Sequence, residues 1–200
     1  TITPATPVLV AGSTHEGEEG VILEVFSQLQ EQFPDLVLIL APRRMERIQE
    51  VISEIKSRNL NFVKRSLLEK EKFEPIVLLD TIGELADIYS IATVAFVGKS
   101  LFPPGGGHSL AEPAAQGVPV CHGPYMEYQR DMAEAFGNIG ATITVHNIED
   151  MKATIEELLK DTKKQKEIGE KAQKLVLESR GATEIMVELI LMELDKIEEN

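Results

Sequence analysis

Short apolar runs with no polar alternation recur along the chain, separated by longer stretches whose apolar residues return every three or four positions. Runs of the first kind mark strands buried on both faces, and stretches of the second mark amphipathic helices. The pattern predicts strands at Val8–Ala11, Leu36–Leu40, Asn61–Arg65, Ile76–Leu79, Val94–Val97, Val118–Cys121 and Ala141–Val145. A helix is expected from about Glu16 to Phe33, where Val21, Ile22, Val25, Phe26 and Leu29 share a face. Another is expected over Met45–Arg58, with Ile48, Val51, Ile52 and Ile55 inward. Further helices fall at Ile82–Ala92, Ala111–Gln116, Glu127–Phe136, Glu149–Leu159, Lys163–Ser179 and Ala182–Lys196. Such alternation predicts an α/β fold, a doubly wound, mostly parallel, Rossmann-like sheet with right-handed crossovers. From Glu149 onward the pattern is helix alone.

Composition narrows the partners. The 200 residues, 43% hydrophobic and 26% charged, suit one globular domain, which commonly holds ~100–200 residues. A core of that size needs no disulfide or metal staple. Thirty-three acidic side chains against 20 basic ones give a net charge of −13. That surface is a poor match for a phosphate backbone or an anionic membrane, so neither nucleic acid nor direct membrane contact is expected. Cys121 stands alone, which fits a reducing compartment. No apolar run reaches the ~18 residues of a membrane span. Thr1–Pro7 is rich in Thr and Pro and reads as the remnant of an interdomain linker, so the chain is expected to belong to a longer protein.

Doubly wound sheets bind ligands beyond the carboxyl ends of their strands. The segments there are Gly12-Ser-Thr-His-Glu-Gly-Glu-Glu19, Pro42-Arg43-Arg44, Asp80-Thr-Ile-Gly-Glu-Leu85, Gly98 to Pro113, and Gly123-Pro124. All are polar or glycine-rich, so the site is expected on this rim. Three of them contain Ser/Thr-x-x-Glu: Ser13 to Glu16, Thr81 to Glu84 and Ser109 to Glu112. Each fits a capping box, in which hydroxyl and carboxylate satisfy the free amides of a helix start. For the first two that reading suffices. The third is approached by Gly105-Gly106-Gly107, which lets a ligand come close to the backbone. There a phosphate on the helix start, with Glu112 on ribose hydroxyls, is the favoured reading. Arg43 and Arg44 are either a solvated pair or an anion clamp, and their place on the rim favours the clamp. Lys99 could assist them. His15 and His108 are open between structural and functional roles, while His122 and His146 read as structural.

Sharper motifs fail. Gly98-Lys99-Ser100 resembles the end of a P-loop, but Thr93 stands where that motif needs glycine and Pro103-Pro104 blocks the required helix. No Gly-x-Gly-x-x-Gly follows the first strand, no Gly-x-Ser-x-Gly elbow occurs, and the histidines lack metal-ligand spacing, so no metal and no cofactor are expected.

Six ordered motifs carry a family resemblance: Gly12 to Glu19, Ala41-Pro-Arg43 with Glu46-Arg47, Asp80 to Leu85, Ala95-Phe-Val-Gly98, Gly106-Gly-His-Ser-Leu-Ala-Glu-Pro113, and Gly123-Pro124. Together they resemble the C-terminal half of the 3-deoxy-D-manno-octulosonic acid (Kdo) transferases of lipopolysaccharide synthesis, from Val8 through Gly181-Ala-Thr183. The resemblance implies a GT-B architecture of two Rossmann-like domains, of which residues 8–180 would be the nucleotide-sugar-binding one. Residues 1–7 would be the linker, and 181–200 a helix packing on the other domain. It further implies inverting transfer of Kdo from CMP-Kdo to a lipid A precursor, without metal, at the cytoplasmic face of the bacterial inner membrane. Membrane and acceptor contacts would belong to the full-length protein through its N-terminal domain. That domain would also supply the catalytic glutamate, leaving no catalytic residue here. By motif, Pro42 and Arg43 would contact the nucleotide, Gly83, Glu84 and Leu85 would line the cytidine pocket, and Ser109, Leu110, Ala111 and Glu112 would take phosphate and ribose. Ser13, Thr14, His15, Glu16, Lys99, Gly107 and His108 would face the sugar or the cleft. The chain departs from the family pattern at Arg44-Met45 (usually His-Pro), Ser109 (usually Asn), Tyr125 (usually His) and Tyr128 (usually Asn). Two alternatives remain: a GT-B transferase or epimerase using a UDP-sugar, and a non-catalytic nucleotide-binding module.

Overall fold

The computed structural model describes residues 2–179; the expected helix at Ala182–Lys196 and the end of the family resemblance at Gly181-Ala-Thr183 lie outside them. The chain alternates β1 (Val8–Thr14), α1 (Glu18–Gln30), β2 (Val37–Pro42), α2 (Ile48–Ser57), β3 (Phe62–Lys64), β4 (Ile76–Leu78), α3 (Leu85–Ile88) and β5 (Val94–Val97). It continues with α4 (Ala111–Ala115), β6 (Val120–His122), α5 (Arg130–Asn138), β7 (Thr142–Thr144), α6 (Ile148–Lys160) and α7 (Thr162–Glu178). All seven strands pair in parallel, in the order β3-β4-β2-β1-β5-β6-β7. The order reverses on either side of β1, which makes the crevice beyond β1 and its neighbours the switch point where such sheets take ligands.

Both faces of the sheet are buried. Leu9, Ala11, Leu38, Leu40, Val94 and Phe96 pack with Ile22, Phe26 and Leu29 of α1, Ile52 and Ile55 of α2, and Ile155 and Leu158 of α6. Val8, Val10, Val37, Ile39, Val77 and Ala95 face the other way, against Tyr89, Leu85 and Ile88. Alternate residues of one strand thus feed two cores, which is why these runs lack polar alternation. Ile2 packs against the second core, and Thr3 donates its N–H to the Thr6 hydroxyl at 3.0 Å, so the Pro- and Thr-rich start folds back onto the domain.

Some elements differ from expectation. Gly17, at φ +87°, delays α1 to Glu18. The helix expected over Ile82–Ala92 shrinks to α3 and a 3-10 turn at Tyr89–Ile91, because residues 81–83 turn through Gly83 at φ +92° to wall a cleft. Strand β6 starts at Val120 rather than Val118, since Pro119 has no N–H to give to a ladder.

Candidate functional site

The first strand bends as it leaves the sheet: its register shifts between Gly12 and Thr14, and Ser13 takes a left-handed φ of +55°. Helix α1 then begins on two buried carboxylates, Glu18 and Glu19, each 2% exposed. Glu18 accepts four backbone N–H groups: His15 at 2.9 Å, Lys99 at 2.7 Å, Ser100 at 2.8 Å and Leu101 at 3.0 Å. Glu19 accepts the Thr14 hydroxyl at 3.0 Å and Nη1 of Arg47 at 2.9 Å, and Arg47 also holds Glu50 at 3.1 Å. Burial pushes the Glu19 carboxyl up, against the pull of the Arg47 hydrogen bond. Burial lowers Arg47, but its bonds to the two glutamates outweigh that and hold it above its ordinary value. The two carboxylates tie together the loops after β1, β2 and β5.

Both glutamates lie in the Gly12–Glu19 motif but receive no role from it, because acids in a first turn usually just complement the helix dipole. One signal was available. Glu18 sits four residues before Ile22 and Glu19 four before Leu23, so helical phase already puts both on the buried face.

Beside this clamp, Ser13, Pro42, Arg43, Met45, Thr81, Ile82, Gly83 and Leu85 line a cleft of about 140 Å³. Arg43 is exposed at its mouth, with its backbone N–H fixed on the Thr14 carbonyl at 3.0 Å. A Cβ on Gly83 would meet nothing within 4 Å, so that residue faces open space. Glu84 is not among the lining residues. It accepts the Thr81 hydroxyl at 3.0 Å and pairs with Nε of Arg65 at 2.9 Å.

The third segment is the glycine-rich stretch after β5. A Cβ on Gly98 would lie 2.5 Å from the Ser13 carbonyl and 2.7 Å from Glu18, so only glycine fits where the two loops cross. Lys99 follows at φ +60°, and its carbonyl accepts the Gly107 N–H at 2.8 Å. This crossing brings His108 to His15, with Nε2 atoms 2.9 Å apart and rings stacked at 5.2 Å between centroids. Burial lowers the His15 pKa despite Glu18, with help from Lys99, Arg44 and Arg47. Burial, His15, Arg43 and Lys99 lower that of His108 to about 4. The Lys99 ammonium lies 4.5 Å from the ring centre of Tyr128, itself 71% exposed. The rim therefore gathers Arg43, Arg44 and Lys99 near two imidazoles whose pKa values lie below the ordinary one.

The capping boxes are not formed. Ser13 heads no cap; the Glu18 carboxylate takes the His15 amide instead. Thr81 bonds the side chain of Glu84 rather than a helix amide, and the Ser109 hydroxyl accepts the N–H of Ala111 at 3.3 Å, two residues on. Helix α4 is only five residues long, Leu110 is buried against Val97, and Glu112 is exposed at its start. Burial, and the charge of Glu112, push the Tyr89 phenol up. Ser13, Pro42, Arg43, Gly83 and Leu85 thus share one cleft, with His15, Lys99, Gly107 and His108 forming an adjoining group. Thr14 is fully buried with its hydroxyl committed to Glu19, while Glu16 is exposed. His122 is buried, its Nδ1 2.8 Å from the Gly123 carbonyl, as a structural histidine would be. Among the described residues, no three His, Cys, Asp or Glu side chains could together hold a metal ion, and no helix is long and apolar enough to cross a membrane.

The chain resembles known proteins over most of its length. It is 31% identical over 186 residues to a 3-deoxy-D-manno-octulosonic acid transferase of Haemophilus influenzae, covering 92% of this chain and 43% of that protein. A transferase of the same name from Aquifex aeolicus is 35% identical over 167 residues, covering 84% of this chain and 46% of that one. The chain therefore spans less than half the length of these relatives. In structure it matches the C-terminal CMP-Kdo binding domain of WaaA from Acinetobacter baumannii with a TM-score of 0.81 at 29% identity, covering 87% of this chain and 91% of that one. The family model of glycosyl transferases group 1 matches residues 14–175. With that match over most of the chain, the chain belongs to the group 1 glycosyl transferases.

Proposed function

We propose that this chain is the donor-binding half of a Kdo transferase, holding CMP-Kdo while Kdo passes to a lipid A precursor. The observation that carries this reading is the cleft at the switch point. Pro42, Met45 and Leu85 offer a nucleobase an apolar slot, Gly83 leaves it room, and Arg43 stands at the mouth for the phosphate. Ligand sites usually enclose ~300–1,000 Å³, so 140 Å³ suits a base alone. Phosphate and sugar acid would then lie on the open rim, under a second domain that closes over them. As the glycosidic bond breaks, negative charge grows on the CMP leaving group, and Arg43 and Lys99 would stabilise it electrostatically. Ser109, Ala111 and Glu112 would meet the ribose and phosphate at the start of α4, while buried Leu110 anchors that turn.

Transfer itself would need a base and an acceptor surface from the domain opposite, and membrane contact would come from there too. The 200-residue chain is thus expected to bind CMP and to transfer nothing. Thermal shift with the two nucleotides tests the donor. Millimolar CMP should raise the melting temperature by several degrees, since a ligand that binds only the folded state stabilises it. UDP should not. An equal or larger response to UDP would move the assignment to UDP-sugar enzymes, and no response to either would remove nucleotide binding altogether.

A further inference from the structure

The two imidazoles at the crossing of the β1 and β5 loops are more than packing. At 2.9 Å between Nε2 atoms, one nitrogen must carry the proton and the other must accept it. A neutral pair holds two ring protons: one in the Nε2–H···Nε2 bond, one on Nδ1 of the accepting ring. The Nδ1 of the donating ring is then bare, and a third proton can go only there. Among the described residues neither Nδ1 has a protein partner, and both rings are only half-buried, so that atom is open to solvent or ligand. The charged groups acting on the pair come from every neighbouring element: Glu18 from α1, Arg43, Arg44 and Arg47 from the segment after β2, and Lys99 from the β5 loop. Four cations against one carboxylate, itself satisfied by four amides, disfavour a further positive charge.

An anion entering the rim reverses that balance. We propose that the His15–His108 pair is a proton-loaded anion subsite: neutral in the empty cleft, it takes one proton from solvent when an anionic nucleotide or sugar acid binds. The gain is one positive charge and one new Nδ1–H donor, placed beside the ligand. This inference rests on the donor-binding reading above and adds its proton linkage. Affinity rises on acidification by the amount that binding raises the pair's pKa; each unit of that rise is tenfold in affinity.

Imidazole ¹⁵N NMR of the 200-residue chain, between pH 5 and 8, reads the pair directly. Without ligand, both rings should keep the neutral pattern, one Nε2 protonated and one bare, down to about pH 5. Saturating CMP should move one protonation upward by a pH unit or more, and cytidine, which lacks the phosphate, should not. The CMP phosphate titrates near about pH 6 on its own, so affinities are compared with His108→Gln, which keeps that contribution and loses the pair's. Relative to its own deficit at pH 8, the variant should bind CMP up to a further tenfold more weakly at pH 5.5. Two rings titrating independently near their ordinary value in the free protein would overturn the inference. CMP that shifts the amides of Arg43 and Gly83 but leaves both imidazoles unmoved would overturn it while sparing the donor-binding reading. No amide shift at millimolar CMP would overturn both.

Discussion

Around β1 and β5 the rim is tied down by buried charge, whereas around β4 and α3 it rests on half-exposed contacts. On the first flank the Glu18 carboxylate, out of solvent, accepts four backbone amides from two loops, and Glu19 anchors Arg47. On the second, Glu84 meets Thr81 and Arg65 with more than a third of its side chain exposed, Ser66 holds Asp80 at the surface, and Ile82 stands 85% exposed. On the donor-binding reading proposed above, the division would follow what each flank handles. Positioning charge for a leaving group requires fixed dipoles and cations, because reorganising them during reaction costs energy. Gripping a nucleobase requires an apolar wall that can adjust. A buried carboxylate surrounded by amides gives the first property, and a short glycine turn the second.

The contrast breaks most visibly at the two glutamates. Glu18→Ala removes the acceptor of four N–H groups, and a buried donor left without a partner costs ~1–3 kcal/mol. Even with water entering the gap, the variant should lose about 3 kcal/mol or more, near 10 °C in melting temperature for a domain of this size. Glu84→Ala removes a half-exposed pair and should cost less than about 1 kcal/mol. Urea denaturation of the two variants compares them directly. Equal costs would mean that the rim is uniformly held and the division is wrong.

Arg43→Ala separates binding from stability within the cleft. The side chain is exposed, so the fold should stay within about 0.5 kcal/mol of the parent. A charge-assisted hydrogen bond to phosphate contributes ~1.5–3 kcal/mol, so the dissociation constant for CMP should rise at least about tenfold by calorimetry. Unchanged affinity would move the phosphate away from the mouth of the cleft.

The half-exposed flank is easier to read in the sequence than the clamped one. Strands are legible because apolar residues on both faces leave no polar alternation, and the rim follows from the strand ends. Pro42, Arg43, Gly83 and Leu85 were therefore identifiable, and they share the cleft. What stayed hidden depends on partners far along the chain. Glu18 meets Lys99, Ser100 and Leu101 more than eighty residues away, and His15 meets His108 across ninety-three. Local pattern instead favours capping boxes, which assign each glutamate to a backbone amide three residues before it. Those boxes do not form, because Gly17 delays α1 past Glu16, and because Arg65 and Thr81 occupy Glu84 before any amide does. Sequence spacing finds contacts within a turn; it carries no information about which loop lies across the crevice.

Lys99 is where the two properties meet, and replacing it separates them with the smallest stability change. Its backbone belongs to the clamp: the N–H is on Glu18 at 2.7 Å and the carbonyl takes the Gly107 amide at 2.8 Å. Its side chain lies over Tyr128 on the rim, where the proposed donor would sit. The φ of +60° costs an L-residue roughly 1–2 kcal/mol that glycine avoids. Against that, glycine brings about 0.5–1 kcal/mol of extra chain entropy to the unfolded state, and the exposed cation–π contact contributes ~0.5–1 kcal/mol. These nearly cancel. Lys99→Gly keeps both backbone bonds, so its unfolding free energy should stay within about 0.5 kcal/mol of the parent, while CMP affinity falls several-fold at low salt. The affinity gap should narrow as salt screens the ammonium. A loss of stability approaching that of Glu18→Ala would show that the side chain, not only the backbone, holds the rim. Unchanged affinity would mean that a lysine in a left-handed backbone serves no ligand here.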